Sequence, residues 1–268
     1  MNKIFLITGS TDGIGKQTAC ELAKTNNIVI IHGRDNKKCL STIKWIKSKV
    51  KDAQLDFVTA DLSSLDDIRK MAAEISTKFS KLDVLINNAG VYKHEKELSQ
   101  HGFEMTFAIN HLAHFLLTNL LLPLLKNSDS ARIINVSSIA HTRASMDFSN
   151  LNSENYFDGY YTYSLSKLAN VLFTYELAER LSGNKITVNA LHPGVISTKL
   201  LQSGFNIAGS SLKEGAATSV YLATSAEVEG VTGKYFIKSA ESQSSPLSYS
   251  KEYQKKLWEA SEKLVGLT

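Results

Sequence analysis

The sequence contains few cysteines and no long apolar segment. Its 268 residues include only two cysteines, Cys20 and Cys39, which are too few for a disulfide framework or a four-ligand zinc site. The longest apolar stretch, residues 115–125, is interrupted by polar residues and a proline, whereas a membrane span needs about 20 apolar residues. We therefore expect no bound metal, no transmembrane segment and a reducing, cytoplasmic location.

Composition excludes several further classes of protein. Hydrophobic residues make up 43% of the chain, which is too many for a mainly disordered protein. Only 15 glycines and the lack of a sustained heptad exclude collagen-like and coiled-coil chains. The net charge of +4 arises from basic and acidic residues mixed along the chain, so no nucleic-acid partner is expected. The length fits one domain over residues 1–268.

Short apolar runs alternate with helical patterns along the chain. Apolar runs without polar alternation predict strands of a parallel sheet that is buried on both faces. The predicted strands are residues 4–7, 28–31, 55–60, 84–86, 132–136, 186–191 and 235–237. The main predicted helices are residues 35–50, 103–125, 160–181, 212–223 and 251–264. This pattern predicts an α/β protein: a doubly wound Rossmann fold with a seven-stranded, mainly parallel sheet and helices on both faces.

A glycine-rich loop joins the first predicted strand to the first predicted helix. It reads Thr8-Gly9-Ser-Thr-Asp-Gly13-Ile-Gly15, with the spacing G-x-x-x-G-x-G. Glycines permit a sharp turn and the close approach of a pyrophosphate, and the helix N-terminus presents free N–H groups to it. Because a strand precedes the loop and a helix and strand follow, we predict dinucleotide binding rather than an ordinary turn. The predicted contacts in the loop are Gly9, Ser10, Thr11, Asp12, Gly13 and Ile14.

The residue after the second strand bears on the choice of cofactor. Arg34 can pair with a ribose 2′-phosphate through charge-assisted hydrogen bonds, whereas an acid there would bind a free 2′-hydroxyl. Its neighbour Asp35 can contact a ribose or begin the next helix. We favour NADP(H), with NAD(H) as the alternative, and an ordinary solvated role for Arg34 stays open.

A tyrosine and a lysine lie four residues apart on one predicted helix. Tyr163-Ser-Leu-Ser-Lys167 places the phenol and the amine on one face. The ammonium, together with a nicotinamide charge, is expected to lower the tyrosine pKa from about 10. Tyr163 then donates a proton to a carbonyl oxygen or accepts one from an alcohol. Ser137 and Ser138 follow the fifth strand, where a hydroxyl can bind the substrate oxygen.

The order of these motifs resembles that of the short-chain dehydrogenase/reductase family over residues 8–198. The resemblance implies an oxidoreductase that transfers a hydride between a nicotinamide cofactor and an alcohol or carbonyl group. It also implies that Ser138, rather than Ser137, is catalytic and that Asn110 holds a water linked to Lys167. The implied catalytic residues are Tyr163, Lys167, Ser138 and Asn110, and the implied substrate contacts are Ser138 and Tyr163.

The resemblance also implies further cofactor contacts. Asp61 is expected at the adenine amino group, although it can instead cap the next helix. Asp12 stands where many NADP-using members have a second basic residue, and Gly33 where many NAD-using members have an acid. Outside the glycine loop, the implied contacts are Arg34, Asp61, Leu62, Asn88, Ala89, Gly90, Tyr163, Lys167, Val195 and Thr198.

Four stretches resemble retinol dehydrogenases and related oxidoreductases that carry a WW domain: residues 110–115, 135–141, 163–170 and 255–261. We therefore expect a small-molecule substrate: an apolar aldehyde or ketone (retinal-like, long-chain or steroid-like) or the matching alcohol. Its pocket is expected beneath a mobile lid over residues 199–209. The expected lining residues are Tyr92, Phe148, Phe157, Leu200 and Phe205, although Phe148 and Phe157 can equally pack in the core.

Other interpretations concern function and assembly. The alternative function is a non-catalytic dinucleotide-binding sensor, and an epimerase or dehydratase would have a different glycine spacing. We expect a homodimer or homotetramer. His111 and His114 are interpreted as helix-surface or packing residues, because two histidines without carboxylates make a poor metal site.

Overall fold

The fold is built on one eight-stranded sheet. A computed structural model describes residues 2–267 of the chain. The strands are β1 (Ile4–Ile7), β2 (Ile28–Gly33), β3 (Gln54–Thr59), β4 (Val84–Asn87), β5 (Ala131–Val136), β6 (Ile186–His192), β7 (Lys234–Ile237) and β8 (Ala240–Ser242). Their order in the sheet is β3-β2-β1-β4-β5-β6-β7-β8, and all neighbours are parallel except β7 and β8. The predicted doubly wound sheet is confirmed.

The eighth strand was not predicted from the sequence. β8 lies in a serine-rich segment and pairs with β7 through a tight hairpin turn. Lys238 and Ser239 form the turn with φ values of 51° and 61°. Tight hairpins usually carry asparagine and glycine at such positions. The hairpin therefore left no recognisable turn signal, and the three-residue strand is too short and exposed to show a pattern.

Helices cover both faces of the sheet. The first is α1 (Gly13–Ala23), which packs on the same face as α2 (Asn36–Lys49) and α8 (Leu212–Thr224). The opposite face carries α3 (Leu65–Lys78), α4 (Met105–Phe107), α5 (Ala113–Lys126), α6 (Gly159–Arg180) and α9 (Lys251–Val265). Each face thereby buries one side of strands that are apolar on both sides, which explains their continuous apolar sequence.

The predicted helix over residues 103–125 has an irregular centre. A π-helical segment, Ala108–Leu112, separates α4 from α5, and α5 continues through Pro123 to Lys126. Met105–Lys126 as a whole is long and apolar enough to cross a membrane, but 78% of its most apolar window is buried within the fold. Burial against the sheet accounts for its composition, because both ends of the apolar stretch face the core. The cytoplasmic location stays a prediction.

The predicted lid over residues 199–209 contains a short helix. Lys199–Phe205 forms α7. The Thr198 side chain accepts a hydrogen bond from the Leu201 N–H (3.1 Å), which caps the helix at its start. Asn206, with φ of 47°, ends it in a left-handed conformation. The capping interactions outweigh the weak periodicity of this segment.

Candidate active site

The strands end at a deep cleft along the carboxyl edge of the sheet. Its volume is about 1150 Å³, and it is lined by the loops that follow β1 to β6. Of the predicted catalytic and cofactor-binding residues, only Ser10 and Asn110 do not line it. The sheet topology thus brings together residues as far apart in sequence as Gly9 and Thr198, which are separated by 189 positions. This is the edge at which open α/β sheets bind ligands.

The glycine loop lies directly against the loop after β4. Gly9 has φ of +64°, and a Cβ atom on it would lie 2.9 Å from the Cα of Ala89. A Cβ atom on Gly15 would overlap the Asn88 side chain. Asp12 caps α1 by accepting a hydrogen bond from the Gly13 N–H (2.9 Å). The floor of the cleft is therefore bare backbone at a helix N-terminus, which suits a pyrophosphate.

Ser10 supports the loop instead of lining the cleft. Its buried hydroxyl donates to the Ile7 carbonyl (2.9 Å) and accepts from the His32 N–H (2.9 Å). Its own N–H donates to the His32 carbonyl (2.9 Å). The predicted cofactor contact of the Ser10 side chain is therefore wrong, since these bonds within the protein occupy it.

Two polar residues that the sequence analysis missed hold the loops together. The His32 Nδ1 accepts a hydrogen bond from the Gly9 N–H (3.0 Å), and burial lowers the pKa of His32 to about 4, which keeps the ring neutral. The Thr8 hydroxyl accepts from the N–H groups of Asn88 (2.9 Å) and Ala89 (3.0 Å). In the sequence, Thr8 and His32 are marked only as polar residues at the ends of apolar strands.

The adenosine end of the cleft carries basic side chains. Arg34 is exposed and lines the cleft together with Lys38. Asp35 caps α2 by accepting a hydrogen bond from the Lys38 N–H (2.8 Å). Of the two roles predicted for Asp35, the start of the helix is therefore the one observed. Gly33 is packed closely, since a Cβ atom on it would lie 2.5 Å from the Thr11 Cγ2. An acidic residue would therefore require Thr11 to move.

Asp61 and Leu62 line the neighbouring wall of the cleft. The Asp61 carboxylate accepts hydrogen bonds from the Ser63 N–H (2.9 Å) and hydroxyl (2.8 Å). Ser64, and not Asp61, caps α3 by accepting from the Asp67 N–H (3.2 Å). Asp61 therefore lies at the cleft, and its second carboxylate oxygen takes no part in these two hydrogen bonds.

Tyr163 and Lys167 are buried on one face of α6. The Lys167 Nζ lies 5.7 Å from the centre of the Tyr163 ring and donates to the Val136 carbonyl (3.1 Å). Burial lowers the pKa of Lys167 to about 8. Burial also raises the pKa of Tyr163 to about 12, and the Ser138 side chain opposes this rise only in part. Without a cofactor, desolvation of the phenolate therefore dominates the pKa of Tyr163. The expected lowering by Lys167 together with a nicotinamide charge stays a prediction.

The two neighbouring serines have different environments. The Ser137 hydroxyl is buried and donates to the Lys167 carbonyl (2.7 Å). The half-buried Ser138 hydroxyl accepts from the Ala140 N–H (3.2 Å), which leaves its proton available to another acceptor. Ser138 is therefore the serine that is free to bind a substrate oxygen at this edge.

Asn110 lies behind the cleft in the π-helical segment. Its side-chain N–H₂ group donates to the Val91 carbonyl (3.0 Å) and the Ser166 hydroxyl (3.0 Å), and its side-chain oxygen accepts from the Val91 N–H (2.8 Å). A Cβ atom on Gly90 would lie 3.5 Å from both the Asn110 Oδ1 and the Lys167 Nζ. Asn110 and Lys167 therefore both lie next to Gly90.

The two histidines of this helix are buried and hydrogen-bonded. His114 lies 3.0 Å from the Asn110 carbonyl and 3.2 Å from the Thr8 hydroxyl. His111 lies 2.9 Å from the Ser261 hydroxyl on α9. The interpretation of both as packing residues is confirmed, and a helix-surface position is wrong because α6 and α9 cover this face.

Helix α7 closes the substrate end of the cleft above Tyr163. The Phe205 ring centre lies 5.0 Å from that of Tyr92, 5.9 Å from that of Tyr163 and 6.0 Å from that of Tyr160. His94 donates to the Ser203 carbonyl (2.6 Å) and so fixes the outer end of the helix. The aromatic cluster shields the phenol from water.

The predicted pocket lining is correct only in part. Leu200 and Phe205 line the cleft, whereas Tyr92 lies behind Phe205. Phe148 packs instead on Tyr253 of α9, at 5.6 Å between ring centres, and Phe157 also lies outside the cleft. Thr142 and Arg143, at the start of the segment before α6, do line the cleft. Tyr160 and Ile207 line the cleft and were missed.

Comparisons with known proteins agree with this architecture. The family model described as short chain dehydrogenase matches residues 3–208. Human retinol dehydrogenase 14 is 40% identical over 99% of this chain and 87% of its own length. An uncharacterised protein from Mycobacterium paratuberculosis is 31% identical with a TM-score of 0.82, over 98% of this chain and 93% of that one. Pseudomonas aeruginosa RhlG, solved as an NADP active-site complex, is 27% identical with a TM-score of 0.72, over 87% and 93%.

The family match covers most of the chain, and the full-length relatives agree with it. The glycine loop, the Tyr163–Lys167 pair and strands β1 to β6 all lie within the matched region. The chain therefore belongs to the short-chain dehydrogenase family, in its retinol dehydrogenase-like subgroup, and is an NAD(P)-dependent oxidoreductase of alcohol or carbonyl groups.

Proposed function

We propose that this protein interconverts apolar aldehydes or ketones with the matching alcohols, using NADP(H), with Tyr163 as the proton donor and acceptor. The observation that carries the proposal is that Tyr163, Ser138 and Lys167 line one end of a cleft whose floor is formed by the glycine loop. A group bound along the loop reaches the hydroxyls across this continuous cavity of about 1150 Å³.

The residues of the cleft fit a dinucleotide. Gly9 to Ile14 would hold the pyrophosphate, and Asp61 and Leu62 would flank the adenine. Arg34 and Lys38 would bind the 2′-phosphate, which distinguishes NADP(H) from NAD(H). An acid at position 33, which would bind a free 2′-hydroxyl, would require Thr11 to move. The RhlG complex with NADP supports the same choice.

The chain's own residues hold the substrate and move one proton. When bound, the nicotinamide cofactor supplies or takes up the hydride. Ser138 donates a hydrogen bond to the substrate oxygen, and Tyr163 donates its proton to the same oxygen during reduction. The raised pKa of Tyr163 keeps the phenol protonated at neutral pH, which favours reduction there. Lys167, with its Nζ 5.7 Å from the Tyr163 ring centre, and Asn110 both lie next to Gly90 behind this pair of hydroxyls.

The mouth of the cleft favours an apolar substrate. Ile139, Val195 and Ile207 are exposed apolar side chains, and all three line the cleft. Lys199 stands beside them, but it pairs with Asp12 at 2.6 Å. Exposed apolar groups that surround a cavity are typical of binding sites for apolar ligands. The similarity to a protein named as a retinol dehydrogenase supports a retinal-like or long-chain compound.

Steady-state NADPH oxidation tests the proposal. The substrates are all-trans-retinal, straight-chain aldehydes of increasing length and a phosphorylated aldehyde as the charged comparison. We expect kcat/KM to rise with chain length, since each buried methylene contributes up to about 0.8 kcal/mol. A flat series together with high activity on the charged aldehyde would contradict the apolar site.

Tyr163→Phe tests the catalytic assignment. We expect a fall in kcat of at least about 100-fold, typical for loss of an acid–base group, while NADPH still binds. Tyr156→Phe is the matched control, because Tyr156 is 60% exposed and lies outside the cleft. NADPH binding without turnover of any substrate by the wild type would instead favour a dinucleotide sensor.

A further inference from the structure

Two histidines hold opposite sides of the peptide bond that follows Ser138. The Ser138 carbonyl accepts hydrogen bonds from the His141 Nδ1 (2.7 Å) and from the His141 backbone N–H (3.1 Å). The Ile139 N–H donates to the His192 Nδ1 (3.2 Å). His141 lies in a short 3₁₀ turn after β5, whereas His192 ends β6. Both polar groups of a single peptide unit are therefore bound by imidazoles from different elements.

The hydrogen bonds define the proton position on each ring. The His141 Nε2 accepts a hydrogen bond from the Ser245 N–H (3.0 Å), so its proton resides on Nδ1. The His192 Nδ1 is an acceptor, so the proton of that neutral ring resides on Nε2. Burial lowers the pKa of both histidines, that of His192 to about 4. Both rings are therefore neutral at physiological pH.

The held peptide unit determines where the Ser138 hydroxyl lies. Ser138 has φ of −156° and ψ of 157°, and ψ is the angle that a rotation of the next peptide plane would change. The Ala140 N–H then donates to the hydroxyl oxygen, which restricts the side-chain rotation. The backbone angle and the side-chain direction are thus both constrained.

We propose that His141 and His192 are positioning residues that clamp the Ser138–Ile139 peptide and thereby aim the Ser138 hydroxyl at the substrate oxygen. This inference rests on the proposed role of Ser138. A misplacement of about 1 Å at a reacting group can lower a rate by about 100-fold, so release of this peptide should act mainly on kcat. A purely structural role would instead lower stability and leave kcat per folded enzyme unchanged.

The kinetic test compares truncations with partial replacements. His192→Ala removes the acceptor, whereas His192→Asn places an amide oxygen close to the position of Nδ1. We expect kcat with NADPH and the best aldehyde to fall by about 10- to 100-fold in His192→Ala, with the Kd of NADPH changed less than about twofold. His192→Asn should recover most of the loss.

His141 gives an independent comparison. His141→Asn keeps a side-chain donor for the Ser138 carbonyl and loses only the bond from Ser245. His141→Ala loses both side-chain bonds, so that only the backbone N–H of residue 141 still donates to this carbonyl. We expect a loss of kcat for His141→Ala and a much smaller one for His141→Asn. His101→Ala is the control, because it removes an imidazole outside the cleft. Equal kcat values for His192→Ala, His141→Ala and wild type would overturn the proposal.

A second measurement does not depend on turnover. Nitrogen NMR of histidine-labelled protein reports which ring nitrogen carries the proton. The signal that disappears in each histidine variant belongs to the substituted histidine. The clamp requires the Nδ1–H form for His141 and the Nε2–H form for His192. The opposite tautomer, or a protonated ring at neutral pH, would refute the clamp even if the wild type lacked activity. An inactive wild type with the required tautomers would refute the proposed reaction and leave no catalytic role for the clamp.

Discussion

Gly9→Ala should damage the site more than its small size suggests. The residue has φ of +64°, and the added methyl group would lie 2.9 Å from the Cα of Ala89. A left-handed conformation costs a residue with a Cβ atom about 1–2 kcal/mol. The contact with the Ala89 backbone adds a cost typical of overpacking, about 1–3 kcal/mol, because neither loop can retreat without breaking hydrogen bonds to Thr8 or His32.

Gly102→Ala separates these two costs. Gly102 has φ of +78°, and a Cβ atom there would meet no atom within 4 Å. The control therefore carries only the backbone cost. For a chain of this length, 1 kcal/mol corresponds to a shift in Tm of about 2–4 °C. We expect Gly9→Ala to lower Tm by at least about 2–4 °C more than Gly102→Ala does.

The assay is thermal unfolding without cofactor, followed by titration with NADPH. The displaced loop should weaken NADPH binding in Gly9→Ala, since the backbone at residue 9 forms the cleft floor, whereas Gly102→Ala should bind normally. Similar Tm values for the two variants, with unchanged NADPH affinity, would show that the loops do not press on each other at Gly9. The assignment of the cleft floor to the cofactor would then be wrong.

Three further predictions concern the cofactor, the lid and pH. Arg34→Ala should lower the preference for NADPH over NADH by about tenfold in binding titrations. This is the lower end for a charge-assisted hydrogen bond, because the Arg34 side chain is exposed. Lys37→Ala is the control: Lys37 lies outside the cleft, so the cofactor preference should stay unchanged. Phe205→Ala should raise KM for apolar aldehydes by about tenfold while NADPH binding persists, and an unchanged KM would exclude Phe205 from the pocket. The pKa of Lys167 is about 8 and that of Tyr163 about 12, so Lys167 loses its charge before the phenol ionises. The value of kcat/KM for reduction should therefore fall as pH rises through about 8. A profile that is flat to pH 10 would show that the Lys167 ammonium does not support the reaction.

Local sequence patterns were sufficient for the sheet and most of the cleft. Short continuous apolar runs predicted the parallel strands, because burial on both faces leaves no room for polar alternation. The carboxyl ends of parallel strands share one edge, so the glycine loop, Asn88 and Ser138 could be assigned to one site without knowing any distance. Arg34 followed from its place after β2 in the same way. Tyr163 followed from its spacing to Lys167 and from the family resemblance.

Tertiary structure alone decided the roles of the buried polar groups. The Ile139 N–H meets His192 across 53 positions, and the Ser245 N–H meets His141 across 104, so neither bond leaves a mark on its neighbours in sequence. The raised pKa of Tyr163 has the same origin, because burial depends on what covers the ring and not on the lysine four residues away. Sequence determines which groups are available in each segment, whereas packing determines which of them lose water and must find partners within the protein.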